Sequence, residues 1–336
     1  MEKETVRISV VVPAHNGGDT IERVLTALKR GLEGEDELIV VDDRSTDGTA
    51  VLAAGLGARV IPSAGKPGAA GARNTGAAAA AGGWVLFVDS DAVAPHGWRE
   101  RLMEAIQKGA DGVQAVYDRE TVGDDAATFY KNFYYHYTFT RRIKGEYITG
   151  CGTFFFAVRR ELFTELGGFD ENIPGATVED ADFAARLVSG GGRIRIARDL
   201  EVLHLRRYTF GQLMRYEWIM MVSKVLYLFR RDGNHGSPSV SMARPLEMVP
   251  VLLGAVAVWP LLAGLVLAAA GFVPGAGAAL MGLMLIAAGH LGFWKAAVAN
   301  GGWRGFSAVW ITFPDLALVI PALLFGLVSH LAGRKY

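Results

Sequence analysis

Only one cysteine, Cys151, occurs in the sequence, so no internal disulfide can form and packing and hydrogen bonds alone must hold the fold. A lone thiol suits a reducing compartment. Neither sign of charge is in excess: Lys plus Arg and Asp plus Glu each number 34. Without a net positive field, nucleic acid is not an expected partner. The opening residues Met1-Glu2-Lys3-Glu4-Thr5 hold no apolar run, so no secretory leader is expected and the N-terminal domain is expected to be cytosolic. In one place charge is missing altogether. Between Met248 and Trp294 there is no Asp, Glu, Lys or Arg, and about 47 residues at 1.5 Å rise could cross a ~30 Å hydrocarbon layer twice.

What is present divides the chain. Its 336 residues exceed the size at which single cores stop growing, and apolar residues concentrate after about Leu246. The reading is a catalytic-type domain over 1–207, an amphipathic interfacial helix and linker over 208–245, and a membrane region over 246–336. The pair Pro274-Gly275 is expected to be the turn between two spans. Gly305 to Gly333 is a third candidate, weakened by Asp315, Pro314 and Pro321. Arg230, Arg231 and Arg244 before the first span, with Lys295 and Arg304 after the second, place those flanks in the cytosol, whereas Arg334 and Lys335 fit poorly with an odd number of spans. A multi-pass protein of the cytoplasmic membrane, with its N-terminal domain in the cytosol, is therefore expected.

From Val6 to Phe87, short β-branched runs alternate with Ala- and Leu-containing helical stretches, the pattern of an open doubly wound α/β sheet whose ligand crevice lies at the carboxyl ends of its strands. Polar residues gather at those ends. The strand Trp84–Val88 runs into Asp89-Ser90-Asp91, a carboxylate pair able to hold Mg²⁺ or Mn²⁺ and through it a diphosphate; acids after a strand can equally begin a turn. Val40-Val41-Asp42-Asp43 ends an earlier strand, where a carboxylate can accept from a base or ribose, or simply support the turn. Asp47 reads as a cap of the next helix. The aromatic run Phe129 to Tyr137 reads first as helix packing, with an acceptor-binding surface as the alternative.

The first strand ends Val12-Pro13-Ala14-His15-Asn16, the second Val40-Val41-Asp42-Asp43-Arg44-Ser45-Thr46-Asp47-Gly48-Thr49. Gly68-Ala69-Ala70-Gly71-Ala72-Arg73-Asn74-Thr75-Gly76 comes next, and then Phe87-Val88-Asp89-Ser90-Asp91. In this order, across about 90 residues, the four segments resemble family 2 glycosyltransferases, a likeness far more specific than any one of them. The resemblance implies a GT-A fold, a nucleotide-diphosphate sugar donor and a divalent metal. It places Pro13, Ala14, His15 and Asn16 at the nucleotide, Asp42 or Asp43 at the base and ribose, Asp89 and Ser90 at the donor, and Asp91 on the metal. Arg73 would lie near the diphosphate or buttress the acids, its rigid fork matching phosphate or carboxylate; a surface ion pair is the bland alternative.

The later half continues the likeness. Thr149-Gly150-Cys151-Gly152-Thr153 is similar to the family's glycine loop, where Gly150 and Gly152 would allow close backbone approach and positive φ. Gly167-Gly168-Phe169-Asp170-Glu171 and Val178-Glu179-Asp180 come after it in the family's order. Asp180 would be the base that takes the acceptor proton, ionised with the help of a helix N-terminus, with Glu179 beside it at the donor. His204 matches a histidine that completes the metal site. Gln212, Arg215 and Trp218 resemble a motif of processive polysaccharide synthases in which Tyr216 departs from Trp; they would belong to the acceptor side or merely to the interfacial helix.

The implied enzyme is an inverting, hexosyltransferase-like glycosyltransferase acting on a lipid or lipid-linked acceptor, as in glycolipid or cell-envelope polysaccharide synthesis. The alternatives are a soluble saccharide acceptor, or a non-catalytic nucleotide-sugar-binding subunit of a membrane assembly. A GT-A nucleotidyltransferase would need a Gly-rich basic loop after the first strand, which Pro13-Ala14-His15-Asn16 is not.

Overall fold

The computed structural model describes residues 6–173, 175, 177–229 and 245–334. Arg230, Arg231, Arg244 and Lys335, which entered the charge argument for orientation, lie outside them. The first half alternates strand and helix as its pattern of β-branched and Ala/Leu-rich segments dictates: β1 (Ile8–Ala14), α1 (Ile21–Lys29), β2 (Glu37–Asp42), α2 (Thr49–Gly55), β3 (Arg59–Pro62), α3 (Ala69–Ala79) and β4 (Trp84–Val88). Its four strands are parallel, ordered β3-β2-β1-β4. β4 is buried throughout, as a strand covered on both faces must be. Gly76 lets α3 approach the sheet, since a Cβ there would lie 2.2 Å from Val11 Cγ1.

Beyond β4 the sheet becomes mixed. The chain continues through β5 (Ala92–Val93), α4 (Trp98–Gln107), β6 (Gly112–Tyr117), α5 (Ala126–Tyr137), β7 (Tyr147–Ile148), β8 (Phe155–Arg159), α6 (Arg160–Glu165), α7 (Glu179–Ser189) and β9 (Ile194–His204). β8 is inserted antiparallel between β4 and β6, and the full order is β3-β2-β1-β4-β8-β6-β9-β5, with β7 on β9. This insertion brings the two halves of the sequence to one crevice: Asp89 N, just past β4, donates to Phe154 O at 3.1 Å, just before β8.

Four long helices complete the chain: α8 (Phe210–Leu228), α9 (Pro245–Ala269), α10 (Val273–Gly301) and α11 (Trp303–Leu331). Val251–Ala269, Val273–Gly301 and Trp303–Leu331 are long and apolar enough to cross a membrane. α9 and α10 pack as a hairpin through small residues, so closely that a Cβ on Gly264 would meet Ala279 N at 2.4 Å. Their turn is not at Pro274-Gly275. It lies at Gly271, which has φ +83°, and Pro274 sits in the first turn of α10, where its missing N–H and fixed φ are tolerated. α11 is continuous, with Pro314 and Pro321 inside it.

Candidate active site

The arginine of the third motif segment is the hub. Arg73, on α3 and 3% exposed, donates from Nη2 to Asp89 Oδ1 at 2.7 Å and from Nη1 to Glu179 Oε1 at 3.0 Å. It therefore buttresses the acids. Burial pushes its pKa down, but Asp89 and Glu179 outweigh that and hold the guanidinium charged. Asn74, its neighbour, clamps the later Gly-Phe-Asp segment: Nδ2 donates to Phe169 O and Oδ1 accepts from Phe169 N, both at 2.9 Å. That turn needs the positive φ of Gly167 and Gly168, which an L side chain adopts only at a cost.

Asp180 lies in the first turn of α7 beside Glu179 and Asp182. Its Oδ1 accepts from Ala181 N at 2.7 Å, and its own carbonyl accepts from Cys151 Sγ in the glycine loop. Burial, then the charge of Glu179, push its carboxyl up to about 8, against the lowering by Ala181 N and Arg73. Gly150 and Gly152 are buried, and Gly152 N donates to Gln114 Oε1 at 2.7 Å. Neither is among the glycines with positive φ; their small size serves close packing here.

The register of β5 on β9, with Ala92 opposite His204, sets Asp91 beside that histidine, and Leu205 N donates to Asp91 O at 2.8 Å. Asp91 Oδ2 stands 3.5 Å from His204 Nε2. On the other side of the ring, Nδ1 meets Asn132 Oδ1 at 3.0 Å, so in its neutral form the ring carries its proton on Nδ1 and presents Nε2 toward Asp91. Burial pushes the Asp91 carboxyl up, but the hydrogen bond and charge of a protonated His204, with the Arg206 guanidinium, outweigh it and hold it below its ordinary value. With the ring neutral, Asp91 Oδ2 and His204 Nε2 could together supply two ligands to a cation. Among the described residues no group of three or more His, Cys, Asp or Glu could hold a metal. A hard ion that keeps water and substrate phosphates as its other ligands fits that sparse set.

The remaining sequence-nominated residues cluster at the rim of β1 and β2. His15 Nδ1 donates to Asp43 O at 2.7 Å, and Asn16, at φ 51°, accepts from Thr46 N at 2.8 Å through Oδ1. Asp42 Oδ1 accepts from Ser45 N, and Asp43 Oδ2 from Gly68 N. Asp47 Oδ1 accepts from Thr49 N at the start of α2, and its Oδ2 from Gly18 N. Pro13 and Ala14 end β1, and Ser90 O accepts from Thr20 Oγ1. These contacts tie the β1, β2 and β4 loops into one wall.

A cavity of about 320 Å³ joins the acidic cluster around Arg73 to the long helices; Pro13, Ala14, His15, Asn16, Asp42, Asp43 and Ser90 are not among its lining residues. Arg73, Asp89, Asp91, Gly150, Gly152, Glu179, Asp180 and His204 all line it, and it continues to Met220, Val251, Leu316 and Val319 of the long helices. Gln212, Arg215 and Trp218 do not line it. Gln212 forms a capping box with Thr209 at the start of α8, and Trp218 packs on Phe325 of α11. The groups of α8 that do line it are Tyr216, Glu217, Met220, Met221 and Lys224. Sequence reasoning missed these, along with Lys131, Arg142 and Asp315. Lys131 pairs with Glu217, and Tyr130 Oη donates to Asp315 Oδ2 at 2.5 Å. Arg142 and Lys224 line the cavity with no carboxylate within ion-pair distance among the described residues. The aromatic run of α5 divides: Phe129 and Phe133 are packed in the interior, as expected of helix packing, and Tyr130, Tyr134 and Tyr135 line the cavity.

The profile of Glycosyl transferase family 2 matches residues 9–167. Residues 9–167, a little under half of the chain, thus carry a family 2 glycosyltransferase domain. A similar protein is the pre-mycofactocin glycosyltransferase of Mycobacterium tuberculosis, 27% identical over 268 residues that cover 76% of this chain and 52% of that protein. The chain thus spans about half the length of that curated relative. The glucosyl-3-phosphoglycerate synthase of the same organism is 41% identical over 97 residues, covering 26% of this chain and 30% of that one. Among solved structures, a mannosyltransferase from Pyrobaculum calidifontis, solved with GDP-mannose and Mn²⁺, superposes with TM-score 0.58 at 18% identity, covering 98% of this chain and 88% of that one. That likeness is one of fold, and it covers the C-terminal helices as well as the matched domain.

Proposed function

We propose that the chain transfers a sugar from a nucleotide-diphosphate donor to a lipid or lipid-linked acceptor at the cytosolic face of a membrane. One observation carries the reading: a single cavity runs from the Asp91–His204 pair past Asp180 to apolar side chains of α8, α9 and α11. Donor chemistry at one end and a lipid-compatible wall at the other suit an amphiphilic acceptor.

In this mechanism the donor's diphosphate lies against Asp89, Asp91 and His204, and the wall formed by His15, Asn16, Asp42 and Asp43 receives the nucleoside. Asp91 and His204 would hold Mg²⁺ or Mn²⁺, which when bound neutralises charge on the leaving diphosphate. The Pyrobaculum enzyme, solved with Mn²⁺ and a nucleotide sugar, supports that assignment. Asp180 takes the proton of the acceptor hydroxyl as its oxygen bonds to the anomeric carbon. The carbon–diphosphate bond breaks, its electron pair leaves with the nucleoside diphosphate, and the anomeric configuration inverts. A base whose pKa lies near the working pH is suited to this proton transfer, and Arg73 holds Asp89 and the start of α7 in register for it. Arg142 and Lys224 face the acceptor's polar head.

The test is nucleoside diphosphate release by the detergent-solubilised full chain from a panel of nucleotide sugars with Mn²⁺ or Mg²⁺, with and without membrane lipid extract. Release stimulated by the extract is expected. Stimulation by soluble saccharides instead would assign a soluble acceptor, and donor binding without any release would favour the non-catalytic subunit.

A further inference from the structure

Three helices are apolar enough to span a bilayer, yet their contacts do not treat them alike. α9 and α10 turn at Gly271, and Leu262, Leu265, Val266, Phe272, Leu280, Met281 and Met284 near that turn are all exposed. The close approaches at this end are between α9 and α10 themselves, as at Gly264 with Ala279 and Gly275 with Ala268.

α11 packs on α10 and α9 between Gly305 and Val319, and it also meets the domain or α8 at its start, middle and end. At its start, Arg304 Nη1 donates to Gly123 O at 2.7 Å, and its guanidinium stacks on Phe129. In the middle, Asp315 accepts from Tyr130 of α5. Toward its end, a Cβ on Gly326 would lie 2.8 Å from Val225 Cβ, and His330 stacks on Phe229 with ring centroids 4.7 Å apart. Both partners belong to the end of α8. That end is fixed to the catalytic domain, because Tyr227 Oη donates to Asp182 Oδ1 of α7 at 3.1 Å and Tyr227 packs on Ile173 and Val178. The start of α8 is fixed as well: Tyr208 N donates to Thr128 Oγ1 of α5 at 2.8 Å.

A helix of 29 residues is about 43 Å long. Crossing a bilayer would carry one end of it some 30 Å away from a domain on one side, but both ends are bound to that domain.

We propose that α11 does not cross the membrane: it lies along the bilayer surface against the catalytic domain, beside α8, and the α9–α10 hairpin alone penetrates the lipid. The burial pattern gives the orientation. Gly305, Ala308, Ile311, Leu316, Val319, Ala322, Gly326 and Ser329 face inward, while Trp303, Phe306, Trp310, Leu324, Val328 and Leu331 are exposed at helical spacing on the other side. That outer face carries no charge and is continuous with the apolar hairpin. Lipid is the occupant it fits, with Trp303 and Trp310 as interfacial aromatics. The cavity, which α11 lines through Asp315, Leu316 and Val319, then opens at headgroup depth. Residues 332–334 return to the catalytic side, which removes the conflict between Arg334 and an odd number of crossings. The inference rests on membrane association and is independent of the proposed activity.

Spin labels at Trp310→Cys, Leu324→Cys and Val328→Cys, placed one at a time in the full chain reconstituted in liposomes, report depth from the ratio of oxygen to nickel-chelate accessibility. Cys151 is buried and stays unlabelled. Equal, shallow depths at all three positions are expected; a gradient approaching 27 Å between 310 and 328, about 1.5 Å per residue, would overturn the proposal. Should a label disturb packing, an independent measurement decides. Ala332→Cys and Asn300→Cys, both at exposed positions, are treated with an impermeant maleimide in sealed, oriented vesicles. Labelling from the same side as the catalytic domain supports the surface position of α11, and labelling of the two from opposite sides contradicts it.

Discussion

Arg73 Nη1 and Glu179 Oε1 meet at 3.0 Å across 106 residues of sequence, and both side chains are almost fully buried. The bond fixes the start of α7, and so Asp180, to the helix whose other guanidinium nitrogen holds Asp89. Distance between the leaving-group site and the base is thereby set by one side chain. Arg73→Met leaves the buried Glu179 and the part-exposed Asp89 without their cation, and a loss of about 3–5 kcal/mol is typical of breaking a buried pair such as Arg73–Glu179. A lower melting temperature by scanning fluorimetry and loss of nucleoside diphosphate release are expected. Arg73→Lys should recover part of the stability and little of the activity, because one ammonium cannot span both acids.

Asp180 gives the pH dependence its sign. Burial and Glu179 raise its carboxyl to about 8, and a base acts only when deprotonated, so kcat/KM should rise with pH through that region and level off above it. Asp180→Asn should abolish transfer with donor binding retained, measured by isothermal titration with the nucleoside diphosphate. Transfer by the Asn variant at the wild-type rate would remove Asp180 from this role.

Asn132 holds His204 by Nδ1. Partners of metal-bound histidines typically contribute 10–100-fold to metal affinity. Asn132→Leu should therefore raise the Mn²⁺ concentration for half-maximal release by about tenfold or more, with little change in the KM for donor once metal is saturating.

Lys224 lines the helix-side end of the cavity with no carboxylate within ion-pair distance among the described residues, and burial lowers its pKa. Lys224→Met should raise the KM for the stimulating lipid, by about tenfold where the ammonium bonds a charged head, and leave the KM for donor unchanged.

How much of the fold and site is legible in the sequence depends on how local each cause is. Strands and their terminal acids are written in short segments: β4 falls at the expected residues, and Arg73, Asp91, Asp180 and His204 share one cavity. Long-range packing is not written locally. Pro274-Gly275 has the composition of a turn, but Gly271 with positive φ already ends α9, and a proline suits a helix start equally well. Gln212 resembles a motif residue and serves as a cap. Asp315 reads as a flaw in a membrane span because its donor, Tyr130, lies 185 residues away. Lys131 and Glu217 are unremarkable charges until α5 and α8 are seen side by side. The antiparallel insertion of β8, which brings the glycine loop to Asp89, depends on strand order, and no local pattern shows it.

The most direct test is to locate a divalent ion by anomalous diffraction from crystals of the full chain grown with Mn²⁺ and a nucleoside diphosphate. One peak bonded to both Asp91 and His204, with the diphosphate against it and Asp180 facing the same cavity, is the expected result. An ion and nucleotide bound away from that pair, or on the far side of the sheet from Asp180, would contradict the proposed centre.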